Sequence, residues 1–68
     1  MNTNLLKSEL AKQGYTQTAA AQAIGISLSR FNAKLNNADG AEFSLGEVKT
    51  MKNLFSLSSE QIDHIFFS

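Results

Sequence analysis

The residues of this chain best equipped for chemistry lie together. In "TQTAAAQAIGISLSRFNAKLN", residues 16–36, Gln17, Ser27, Ser29, Arg30, Asn32, Lys34 and Asn36 recur among small and apolar side chains. Their shared chemistry is hydrogen bonding and charge pairing, not proton transfer or nucleophilic attack. Amides and hydroxyls of this kind pair with base edges, and cations with phosphates. Elsewhere the reactive inventory is thin. His64 is the sole histidine and there is no cysteine, so neither a thiolate metal site nor a histidine cluster is expected. Ser59, Glu60 and Asp63 supply no base set against a nucleophile, and the glycines form no phosphate-cradling loop. No enzyme activity, cofactor or metal is expected.

Charge separates the two halves. Lys7, Lys12, Arg30 and Lys34 face only Glu9 in residues 1–36, a balance of +3. Lys49 and Lys52 face Asp39, Glu42, Glu47, Glu60 and Asp63 in residues 37–68, a balance of −3. The zero net charge differs from the basic surplus usual in nucleic-acid binders, but the basic half is the half that holds the opening stretch.

The elements that must position these residues all read as helices. The 68 residues suffice for one small domain, which buries only roughly 60% of its unfolded surface. No proline, repeat or strand alternation interrupts the helical spacing. Thr3 is the expected cap of a first helix carrying Leu6 and Leu10, ended by Gly14 in the left-handed region. Thr16 caps a second helix over 17–24, closed by Gly25, and Ser27 caps a third over about 28–36. Asn36, Asn37, Asp39 and Gly40 make a turn-rich loop. "SLGE" at 44–47 is a capping box opening a fourth helix over about 45–55, with Leu45, Val48, Met51, Leu54 and Phe55 on its apolar side. "SSEQ" at 58–61 is a second box, before a fifth helix with Ile62, Ile65 and Phe66 on one face. No apolar run reaches the roughly 18 residues of a membrane span, and "MNTNLLKSEL" has no secretory signal pattern. A cytoplasmic location and no membrane partner are therefore expected.

Within 16–36, the small Ala20 and Ala21 allow two helices to cross closely, Gly25 allows the turn, and Ile24, Ile26, Phe31 and Leu35 face inward. This leaves Leu28, Ser29, Asn32 and Ala33 on the outward side of the third helix, flanked by Arg30, Lys34 and Asn36. The segments "YTQ", "AAAQAIGIS" and "SRFNAKLN" resemble the helix-turn-helix of Cro/CI-type (XRE) regulators of temperate phages and bacteria. "EFSLGEVKTMKNLFSLSSEQIDHIFF" is similar to the C-terminal half of small phage-encoded members. The chain departs from the pattern at Ala20, where a larger aliphatic residue is usual, and at Leu28 and Ala33, where Gln, Arg or Lys often read bases.

The resemblance implies an all-α, compact five-helix, lambda-repressor-like domain and a transcriptional regulator in a bacterial host, part of a lysis–lysogeny switch. Its implied partner is double-stranded operator DNA. Gln17 would bind a phosphate, Leu28, Ser29, Asn32 and Ala33 would meet base edges, and Arg30, Lys34 and Asn36 would hold phosphates or flanking bases; Ser27 lies at the same edge. Phe67, with Phe66 beside it, is a candidate contact of a homodimer, which would raise DNA affinity through effective concentration. The alternative partner is a phage repressor protein, bound by the same fold acting as a modulator. Zero net charge and the apolar Leu28 and Ala33 on the outward face motivate that alternative.

Overall fold

The computed structural model describes residues 1–67, and among them every regular element is helical. The order is α1 (Thr3–Lys12), α2 (Gln17–Ile24), α3 (Leu28–Leu35), a short 3₁₀ turn (Ala38–Gly40), α4 (Leu45–Leu54) and α5 (Ser59–Phe66). Among the described residues, no helix is long and apolar enough to cross a membrane.

Side-chain oxygens start each helix. Thr16, Ser27, Ser44 and Ser58 accept from the backbone N–H three residues on, and both expected capping boxes are closed, by Glu47 and by Gln61. Each such bond satisfies one of the donors that a helix start leaves without a partner. The first helix corrects the expectation. Asn2 caps α1 through its Oδ1, which accepts from Leu5 N at 3.1 Å. Thr3 is the first helical residue, and its hydroxyl reaches across the fold to donate to the Leu35 carbonyl at 2.7 Å.

The ends of α1, α2 and α4 share one device. After α2, the Gly25 N–H donates to Gln22 O and the Ile26 N–H to Ala21 O, with Gly25 at φ +81°. This pair of bonds is a Schellman closure. Gly14 ends α1 the same way. At the end of α4 a serine takes the left-handed place: Ser56 has φ +52°, and Leu57 N donates to Lys52 O.

The core gathers Leu6 and Leu10 of α1, Ala20 and Ala21 of α2, Phe31 and Leu35 of α3, Val48 and Met51 of α4, Phe55, Leu57, and Ile62 and Ile65 of α5. The apolar side of α4 is narrower than the sequence suggests. Val48, Met51 and Phe55 are buried, whereas Leu45 is 72% exposed and Leu54 43%. At about 100° per residue, Leu45 and Leu54 lie on the two flanks of the buried arc and overhang it. Three edge-to-face ring pairs tie the elements together: Tyr15 on Phe55, Phe31 on Phe43, and Phe43 on Phe66. Asn2 N also donates to Ile65 O at 2.6 Å, so the start of α1 is fixed to the last turn of α5.

Candidate nucleic-acid interface

α2 packs against α3 and α4, and the residues it buries are small. Ala20 is fully buried and Ala21 is 1% exposed. A larger side chain at either position would have to displace its packed neighbours. Gly25, Ile26 and Ser27 make the connection. Left-handed Gly25 stops α2, half-buried Ile26 packs on the core, and the Ser27 hydroxyl accepts from Arg30 N at 3.1 Å to start α3. With Phe31 and Leu35 both at zero exposure, α3 has a fixed rotation about its axis. A defined set of residues therefore faces outward.

That set begins with Ser29 and Arg30, both exposed, and continues into half-buried Asn32 and Ala33. Among the described residues Arg30 forms no ion pair, so its guanidinium, with five donors in a rigid fork, is open to a partner. Leu28 is 41% exposed, but it does not lie opposite the core as its outward assignment implies. It precedes Phe31 by three residues, about 60° away around the helix, and forms the rim at the N-terminal end of α3. Gln17 is the first residue of α2 and is half-buried.

Three expected contacts are engaged within the fold. Lys34 is not a free cation: its Nζ donates to both carboxylate oxygens of Glu47 in α4, at 2.7 and 2.6 Å. The side chains of this pair are only 15% and 17% exposed. Lys34 follows Phe31 by three residues, so it flanks the buried face on the α4 side. The amide of Asn36 folds back and donates to Asn32 O at 3.0 Å, as a second donor to a carbonyl that already accepts from the Asn36 N–H. Phe66 packs against the core and Phe43. Phe67 remains outward at 63% exposure.

Glu47 is the residue of this region that the sequence pattern undervalues. It reads as a capping-box carboxylate, and it is one, accepting from Ser44 N at 2.8 Å. It also holds Lys34. Burial pushes its carboxyl pKa up, but the hydrogen bonds from Lys34 and from the Ser44 backbone outweigh this and leave it below its ordinary value. On the basic side, Lys12 stands 3.7 Å from Glu9. Among the described residues, no cluster of three His, Asp or Glu could hold a metal ion. Comparison with known protein families, with curated proteins and with solved structures finds no match to this chain in any of the three.

Proposed function

We propose that this chain is a sequence-specific DNA-binding transcriptional regulator of the Cro/CI type, with α2 and α3 as a helix-turn-helix and α3 as the helix that enters the major groove. The observation that carries the reading is the setting of α3. Its inner face is locked by Phe31 and Leu35, its start is joined to α2 by a tight turn, and its N-terminal half presents Ser29 and Arg30 to solvent. In such motifs the N-terminal residues of the second helix meet the base edges. Arg30 supplies the charge, for a phosphate or a guanine edge. Asn32 can pair with adenine, Ser29 can donate or accept, and Leu28 can cover a thymine methyl. Gln17, at the start of α2, is suited to hold a phosphate through its amide and the helix N–H groups. With Lys34 paired internally, one module has few phosphate contacts, and a homodimer through exposed Phe67 would supply the missing affinity. The test is the double substitution Arg30→Ala with Asn32→Ala. Loss of binding to a selected operator, with the fold intact by circular dichroism, supports the reading; unchanged binding removes α3 from the DNA.

One observation favours a second reading. Among the described residues, the helix proposed for DNA keeps one cation outside an ion pair, Arg30, beside the exposed Leu28. That composition also suits a protein partner such as a phage repressor. Co-purification with a repressor, combined with salt-insensitive and sequence-blind DNA binding, would favour this alternative.

A further inference from the structure

The C-terminal end of α3 is held by two other helices. From α1, the Thr3 hydroxyl donates to the Leu35 carbonyl. From α4, Glu47 receives the Lys34 ammonium on both oxygens, while its Oε1 also accepts from Ser44 N. A single carboxylate thus starts α4 and clamps α3. A lysine serving a phosphate would have to leave this clamp and strand a part-buried carboxylate. Leaving one partner of such a pair unpaired is costly.

We propose that Glu47 is a positioning residue for the DNA-facing helix: it keeps Lys34 inside the fold, so that the Lys34 charge fixes the rotation and tilt of α3 instead of neutralising phosphate. This rests on the DNA reading above and deepens it. Base readout tolerates little angular error, and the clamp lies about one helical turn from Arg30 and three residues or fewer from Asn32 and Ala33. Sequence selectivity therefore depends on Glu47 and Lys34, although neither touches DNA.

The experiment measures affinity of the full chain for a duplex enriched from a random pool and for an unrelated duplex, over a salt series, below the melting temperature. Glu47→Gln is the informative variant because glutamine still closes a capping box, as Gln61 does for Ser58 in this same chain, while the charge partner of Lys34 is lost. Glu47→Gln and Lys34→Met should each lower the specific-to-nonspecific ratio by about tenfold, the loss of roughly one base-pair's readout, and Lys34→Arg should retain it. Lys34→Met should leave the slope of log affinity against log salt at the wild-type value, whereas Arg30→Ala should make it shallower by about 0.9, the loss of one phosphate contact. A slope lowered by Lys34→Met as by Arg30→Ala would show that Lys34 touches phosphate and would overturn the proposal. Unchanged selectivity in both variants, with only the melting temperature reduced, would make the pair a plain staple and overturn it too. Wild-type protein that selects no sequence sinks the DNA reading and this inference with it; wild-type selection, with both variants as selective as wild type or with the salt slope lowered by Lys34→Met, sinks this inference alone.

Discussion

The Lys34 ammonium and the Glu47 carboxylate meet through two hydrogen bonds of 2.7 and 2.6 Å, across 13 residues of sequence, and join α3 to α4. The pair engages one of the two cations of α3 inside the fold, with side chains 15% and 17% exposed. Its stability contribution depends on pH. The carboxyl pKa of Glu47 is lowered in the fold. The stabilisation is therefore complete above the unfolded value of about 4.3 and is lost as pH falls through the lower folded value. Thermal melts should be nearly level from neutral pH to about pH 5 and decline below it. Glu47→Gln should melt lower at neutral pH and show a shallower acid decline; an identical acid decline in the variant would assign it to other carboxylates.

Two glycine-to-alanine substitutions should act in opposite directions. Gly25 has open space where a methyl would stand but sits at φ +81°, so backbone strain alone should cost Gly25→Ala about 1–2 kcal/mol. Gly46 lies in the first turn of α4, where a methyl would meet only Ser44 Oγ at 3.9 Å. Gly46→Ala should stabilise the fold by about 0.5–1 kcal/mol. Urea unfolding of both variants reads the sign directly.

Thr3→Val keeps the shape of the side chain and removes the hydroxyl that serves the Leu35 carbonyl. A buried carbonyl that loses its partner should cost at least about 1 kcal/mol, or roughly 4–8 °C in melting temperature for a domain of this size. Calorimetry should register that drop, and no drop would mean that water replaces the hydroxyl without loss.

Ser56→Gly should stabilise the chain. Serine there holds φ +52°, a region that costs an ordinary residue roughly 1 kcal/mol. Guanidinium unfolding should show a higher midpoint, and a lower one would mean that the added freedom of glycine in the unfolded chain outweighs the strain relieved.

The local part of this structure was legible because its signals are local. Thr16, Ser27, Ser44 and Ser58 sit where caps belong, and Gly14 and Gly25 where helices must stop, so α2 and the starts of α3, α4 and α5 follow from spacing. The end of α4, expected near residue 55 and found at Leu54, carries no glycine, because its left-handed residue is Ser56. Its trace was indirect: Phe55 and Leu57 are both apolar around it, with a second capping box directly after. The tertiary uses of side chains were not legible. Thr3 reads equally as a cap or as a donor to Leu35 O. Nothing within one turn of Lys34 announces that its partner is Glu47. Leu45 and Leu54 fit apolar spacing, but only the packed width of the core decides that they overhang it, and Leu28, expected on the outward side, stands instead at the rim of the buried face. The candidate interface is therefore smaller than the sequence suggests. Ser29 and Arg30 stand outward on α3, Leu28 forms its rim, and Lys34 and Asn36 are engaged within the fold.

Selection from a random duplex pool, followed by salt titration, decides whether α3 reads DNA sequence. A reading helix should enrich a defined half-site or palindrome, with half-sites about one helical turn apart if the chain pairs. Its affinity should fall as salt rises, with a slope set by few phosphates. No enrichment, with feeble binding even at low salt, would contradict the DNA reading and leave the outward face of α3 as a surface for a protein.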